Sequence, residues 1–339
     1  MTPPTAEGSA EGLWTLREGA GPLLAVAIHD GHDLRPEVAK LMALSEEARL
    51  REEDPFTGAW TKMAGSRLVA CRSRFEVDLN RPRERAVYIR PEDAWGLRVW
   101  QDEPAADLVE RSLEEYDAFY RQLRQVIDRI VARRGHAVVF DLHSYNHRRA
   151  GPGARFDSQA KHPDVNIGTG TMHRARWAPV IDRVIAELKS CDYLGRQLDV
   201  RENVKFLGGA LSRWVHETYP NTVCSIAIEF KKFFMDEWSG QLYVDIHRSV
   251  LDLLKSLGSA VVEELASLAP AEGEAEGPVR VDEPQAETDY GQFMAGLWSC
   301  PECHLEVLPR ELMQLGAERP FRCADCGTEL TYHDGTASS

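Results

Sequence analysis

Along its first 268 residues the chain alternates short, almost unbroken apolar runs with longer segments whose apolar residues recur every three or four positions. An apolar run of strand length must be buried on both faces, and the amphipathic helices between such runs supply the cover. Leu23–Ile28, Ala137–Phe140 and Val223–Ile228 are runs of this kind. Ala106–Arg134 reads as a long helix, with Val109, Leu113, Tyr116, Tyr120, Leu123, Ile127 and Ile130 on one stripe and Gly135 at its end. Arg35–Glu52, Trp177–Leu188 and Leu242–Leu268 read as further helices, and Leu68–Cys71 and Phe75–Leu79 as short strands. The pattern predicts an α/β layered domain over residues 21–268. Residues 1–20, rich in small and polar residues with Pro and Gly, read as a flexible arm. Residues 269–290, where Glu272, Glu274, Glu276, Asp282, Glu283 and Glu287 sit among Ala, Gly and Pro, read as an acidic linker.

Charge and hydropathy speak against two classes of partner. A net charge of −14 argues against an electrostatic grip on nucleic acid, which needs clustered Lys and Arg. No apolar stretch approaches the roughly 20 residues that span a bilayer. The start, Met1-Thr2-Pro3-Pro4, lacks the basic and apolar regions of a signal peptide, so the expected location is cytoplasmic.

Four of the seven cysteines form two pairs, Cys300/Cys303 and Cys323/Cys326, separated by 19 residues. The C-x2-C-x19-C-x2-C spacing predicts a zinc ribbon over residues 291–339, with two tight turns aiming four thiolates at one structural Zn2+. A closed thiolate site leaves no coordination position for water, so catalysis is expected elsewhere. The ribbon then offers a surface for a protein partner. Cys71, Cys191 and Cys224 lie in apolar or helical contexts and read as buried thiols.

Three apolar runs end in His29, His143 and Glu229. Open α/β sheets gather their ligands beyond the carboxyl ends of strands, so these side chains are expected in one region. A hydrolytic zinc needs about three protein ligands, a carboxylate base and a cation for the oxyanion. His29, Glu53 or Asp54, Arg74, Asn80, Arg81, His143 and Glu229 supply those chemistries.

Five blocks resemble the N-formylglutamate amidohydrolase family: Ala27-Ile28-His29-Asp30-Gly31, Glu53-Asp54-Pro55-Phe56-Thr57, Ser73 through Arg81, Asp141-Leu142-His143-Ser144, and Ile228-Glu229-Phe230 with Met235-Asp236-Glu237. Lys205 to Gly209 resembles the family's Gly-Gly segment. The resemblance spans residues 22–255 in the family's order. It implies a mixed central sheet flanked by helices, as in zinc carboxypeptidases, and a zinc-dependent hydrolysis of an amide in a small N-acyl amino acid bearing a carboxylate. It implies His29 and His143 as ligands of a catalytic Zn2+, with Asp54 as the third and Glu53 or His32 as alternatives. It implies Glu229 as general base, Arg74 as the carbonyl-polarising cation, and Asn80 and Arg81 as the clamp on the substrate carboxylate. Asp141 is expected to orient His143. The bland alternatives pair Arg74 with Glu76 or Asp78, pair Glu229 with Lys231 or Lys232, and leave Arg81 in a solvated basic loop. Ile28 and Asp30 depart from the family's usual flanks of the first His. Two other functions fit the same residues: a carboxypeptidase or peptide-modifying hydrolase, and an inactive adaptor acting through the ribbon.

Overall fold

A computed structural model describes residues 7–9, 12–267, 297–299, 306–307 and 331–333. The chain separates into two compact units, Met1–Ala271 and Glu272–Ser339, divided within the acidic segment. The larger unit is built on an eight-stranded sheet of order β1-β2-β4-β3-β5-β8-β6-β7. Its strands are β1 (Glu7–Ser9), β2 (Trp14–Arg17), β3 (Leu23–Ala27), β4 (Ser66–Ala70), β5 (Ala137–Tyr145), β6 (Val165–Gly168), β7 (Val200–Glu202) and β8 (Val223–Lys231). β4, β3, β5 and β8 run parallel; β2 and β6 join them antiparallel, so the sheet is mixed.

Alternation along the central strands sorts side chains between two helical layers. Leu23, Ala25, Val138, Phe140, Leu142, Cys224, Ile226 and Ile228 pack with helices α5 (Ala178–Ser190) and α7 (Val244–Ser267). Leu24, Val26, Ala137, Val139 and Val223 pack on the opposite face, with α4 (Ala106–Arg134) and α6 (Ala210–Thr218). Burying each Val, Leu, Ile or Phe contributes about 1.5–3 kcal/mol, which is why apolar residues dominate the first half of these strands. The same alternation places Asp141, His143, Ser225 and Glu229 on the α4/α6 face.

The structure departs from the sequence reading in several places. The second half of the expected arm is a strand: Trp14–Arg17 pairs with β4, and Trp14 is buried. The helix expected over Arg35–Glu52 is two helices, α1 (Pro36–Leu41) and α2 (Glu46–Glu52). Met42 is drawn into a bridge with Trp100, and Ser45 restarts the helix by accepting the Ala48 N–H at 3.2 Å. Phe75–Leu79 is not a strand but a turn-rich segment. Its alternating Glu76 and Asp78 are as fully buried as Phe75, because they bind Arg35 and His29 respectively. A short helix, α3 (Thr57–Trp60), follows Asp54, and its entry at Phe56 takes a left-handed φ of 73°.

The smaller unit contains β9 (Leu297–Ser299) with β10 (Glu306–Val307) and β11 (Thr331–His333) antiparallel on either side. Cys300, Cys303, Cys323 and Cys326 lie outside the described residues, as does the segment read as a linker. Among the described residues no helix is long and apolar enough to cross a membrane.

Candidate metal centre

Three elements meet at the carboxyl end of the sheet. His29 lies two residues past β3, His143 lies within β5, and Asp54 lies in the turn between α2 and α3. The turn is tied to the end of β3 by its backbone, since the Asp54 N–H donates to the His29 carbonyl at 2.8 Å. Asp30 adds a second tie by accepting the Gly58 N–H at 2.8 Å, and burial raises its carboxyl to about 6.

His29, Asp54 and His143 are all buried, and one ligand atom from each lies within 4.8 Å of the others. Both imidazoles present Nδ1 to Asp54 Oδ2, at 3.4 Å from His29 and 3.0 Å from His143. Both present Nε2 to a further carboxylate. His29 Nε2 lies 2.7 Å from Asp78 Oδ1, and His143 Nε2 lies 2.9 Å from Asp141 Oδ1. Carboxylates behind Nε2 favour the tautomer with the proton there, which leaves the Nδ1 lone pairs converging on a carboxylate oxygen. Two nitrogen lone pairs and an oxygen at that spacing repel unless protons or a metal cation are shared among them. The donor set therefore fits a divalent metal with nitrogen and oxygen preferences, zinc included. Asp141 agrees with this: both its oxygens are buried without a completed hydrogen bond, although Oδ1 is close to His143.

The electrostatics follow from the packing. Burial alone would raise the Asp54 carboxyl, but hydrogen bonds from His143 and His29 hold it far below the usual carboxylate range. Burial would lower His143, yet Asp141 and Glu229 hold it well above an ordinary imidazole. Glu229 stands directly across from His143 in the β5–β8 ladder. Its carboxylate has no hydrogen-bond or ion-pair partner among the described residues, and burial pushes it up to about 7. Lys231 instead meets Asp164 at 2.9 Å, and Lys232 caps the carbonyls of Arg51 and Glu53 at 2.6 and 2.7 Å.

Glu53 points away from the triad. Extended backbone at Glu53 (φ −75°, ψ 175°) sends successive side chains to opposite sides, so only one of the two acids can face the histidines. Glu53 meets His32 Nδ1 at 2.5 Å and Arg49 at 3.4 Å, and accepts from Ser73. His32 is thereby held outside the triad as well.

Arg74 pairs with Asp78 at 2.8 Å and donates to the Glu52 carbonyl at 3.3 Å, with Trp95 over its guanidinium. Asn80 is wedged at the start of α6: its Oδ1 accepts the Leu211 N–H at 3.2 Å, and a Cβ at Gly209 would collide with it at 2.1 Å. Its Nδ2 lies 3.5 Å from His143 Nε2. Arg81 is more exposed than the buried His29, Glu53, Asp54, His143 and Glu229. Its side chain is 34 % accessible and 4.0 Å from Asp78, with its guanidinium over Tyr88 and Trp95.

Sequence reading missed the hub of this network. Asp78 binds His29, Arg74, the Asn80 N–H and the Tyr88 hydroxyl together. The signal available was an acid alternating with apolar residues in Phe75-Glu76-Val77-Asp78-Leu79, which reads equally as a solvated strand face. Ser144, which donates to Asp54 Oδ1 at 3.3 Å, was also passed over.

Comparison with known proteins agrees with the geometry. The sequence profile of the family described as N-formylglutamate amidohydrolase matches residues 21–235, well over half of the chain. The N-formylglutamate amidohydrolase of Ralstonia eutropha JMP134 superposes with a TM-score of 0.58 at 18 % identity, covering 74 % of this chain and 99 % of that one. A gene product of Agrobacterium tumefaciens superposes with a TM-score of 0.54 at 17 % identity, covering 75 % and 96 %. At these identities both show the shared fold. No curated protein matches the sequence at a significant level.

Proposed function

The chain belongs to the N-formylglutamate amidohydrolase family, and from that premise we propose that it hydrolyses the amide of a small N-acyl amino acid, N-formyl in the first instance, using zinc held by His29, Asp54 and His143. The observation that carries this reading is the convergence of those three ligand atoms with an unpartnered Glu229 in register beside His143. The carboxypeptidase and adaptor alternatives are not favoured by the family match.

Each residue has a distinct task in this proposal. His29, Asp54 and His143 hold the ion; Asp78 and Asp141 fix the imidazole tautomers from behind. Zinc supplies, when bound, a Lewis acid for the amide carbonyl and acidifies the attacking water. Glu229 takes the water's proton and returns it to the leaving amine. Its burial without a partner favours that role, because a carboxylate already satisfied by a lysine would be a poor base. Arg74 has its guanidinium engaged by Asp78 and the Glu52 carbonyl, so we assign it to holding Asp78 against His29 rather than to the carbonyl. Arg81 remains accessible and able to fork onto the substrate carboxylate. Asn80 acts beside it by fixing the entrance of α6 next to His143. A second zinc at Cys300, Cys303, Cys323 and Cys326 rests on their spacing alone.

Elemental analysis and turnover test the proposal together. Purified protein is expected to carry two zinc ions per chain and to hydrolyse N-formyl or N-acetyl amino acids. Arg81→Ala is expected to raise KM for substrates with a free α-carboxylate while sparing their α-carboxamides. Absence of a zinc that survives loss of the four cysteines, with no turnover on the panel, rejects the reading.

A further inference from the structure

One cation beside the site has no use in the mechanism above. Asn166 stands opposite Glu229 in the antiparallel β6–β8 ladder, so their side chains share a face. Asn166 is fully buried, and its Oδ1 accepts the backbone N–H groups of Val204, Lys205 and Phe206 at 3.0, 2.8 and 3.4 Å. Its Nδ2 donates to the Phe206 carbonyl at 2.8 Å. A single side chain on the strand next to Glu229 thus fixes three successive residues of the loop after β7. The loop is further seated on β6 at Gly168, where a Cβ would meet the Gly208 nitrogen at 2.8 Å.

Lys205 is the middle residue of the fixed trio. Its Nζ donates to His162 Nε2 at 2.9 Å, and His162 Nδ1 donates to the Ser158 carbonyl at 3.1 Å. That relay requires a neutral His162 and leaves the positive charge on Lys205. The ammonium lies 5.4 and 5.7 Å from the ring centroids of Tyr145 and Phe206. Lys205 pairs with no carboxylate among the described residues. Its neighbours do: Arg149 meets Glu52 at 3.0 Å and Lys231 meets Asp164 at 2.9 Å. A partly buried ammonium with no directly bonded counter-ion, Asp157 and Glu229 acting on it only from a distance, is costly, and the cost is offset when an anion docks against it.

We propose that Lys205 binds a second anionic group of the substrate, on the side of Glu229 away from His29 and Asp78. The inference rests on the amidohydrolase reading, and it adds a charge requirement that Arg81 does not impose. The anion can belong to the amino-acid side chain or to the acyl group, and matched substrates separate the two. Full-length zinc-loaded wild type, Lys205→Met and Lys205→Arg are assayed on N-formylglutamate against N-formylglutamine, and on N-succinylalanine against N-succinamoylalanine.

In Lys205→Met the charged-to-neutral ratio of kcat/KM is expected to fall roughly tenfold or more in one pair, the scale of one charge-assisted hydrogen bond. The loss is expected in KM, and Lys205→Arg is expected to restore most of it. The responding pair identifies which half of the substrate carries the anion. An unchanged ratio in both pairs overturns the proposal. If wild type turns over none of the four compounds, the amidohydrolase reading fails, and calorimetric titration with glutarate judges Lys205 separately. Weaker glutarate binding by Lys205→Met than by wild type supports the anion site; equal or absent binding in both overturns it.

Discussion

The two ends of the site are built on opposite principles. At the His29 end the buried charged groups are answered: Asp78 serves His29, Arg74 and Tyr88, and Glu53 serves His32, Arg49 and Ser73. At the other end Glu229 has no partner and Lys205 has only a neutral imidazole. A saturated network fixes its side chains in one arrangement. An unsaturated one leaves charge available to a proton or a substrate. On the proposed function the first end positions and the second reacts, and substitutions can break that contrast from either end.

The largest effect is expected from removing a ligand. His143→Ala should abolish turnover to background and release one zinc, with any ribbon zinc retained; elemental analysis after dialysis reads this directly. Retention of both ions would move the centre away from β5. Next comes the reactive end. Glu229→Gln should keep its zinc while kcat falls about 10²–10⁴-fold, the scale of losing a general base. A fully active variant would remove Glu229 from the chemistry.

A smaller loss is expected from the saturated end. Asp78→Asn keeps the shape but removes the charge behind His29, and partners of that kind are worth roughly 10–100-fold in metal affinity. Competition with a chelator of known affinity measures it. An unaltered affinity would make Asp78 a mere neighbour.

The least effect at the site is expected from His216, a buried imidazole whose surroundings sharpen the contrast. His216 accepts the Ser225 N–H on Nε2 at 3.0 Å and meets the Thr171 hydroxyl on Nδ1 at 3.0 Å, with no carboxylate near. Burial lowers it to about 4, whereas His143 among carboxylates is raised. Because the unfolded chain binds this proton near pH 6.5 and the folded chain only near 4, stability should fall as pH drops through that window and level off below it. The shift corresponds to on the order of 3 kcal/mol. Urea midpoints between pH 4 and 7 should show a shallower pH dependence in His216→Gln, with zinc content unchanged.

Strand and helix identity was largely legible in the residues. Ala106–Arg134 was bounded by its periodicity and Gly135, and the buried runs at Leu23, Ala137 and Val223 became the parallel core. The failures share a cause. Phe75–Leu79 alternates like a half-exposed strand, yet Glu76 and Asp78 are buried because cations and an imidazole wait for them from distant segments. Strand β6 was missed because four residues carrying an Asn give little periodicity, and only its place beside β8 makes that Asn a support for the Lys205 loop.

The sequence by itself determined the layered α/β class, the residue types gathered at the strand ends and the family they resemble. Local pattern suffices there, since apolar periodicity is fixed by covalent geometry and by the exclusion of water. Only the tertiary structure put Asp54 rather than Glu53 beside the two histidines, linked His29 to Asp78, and set Glu229 and Asn166 side by side. Those outcomes depend on ψ at a single residue and on registers between strands far apart in the chain, and neither quantity is encoded in spacing along the sequence.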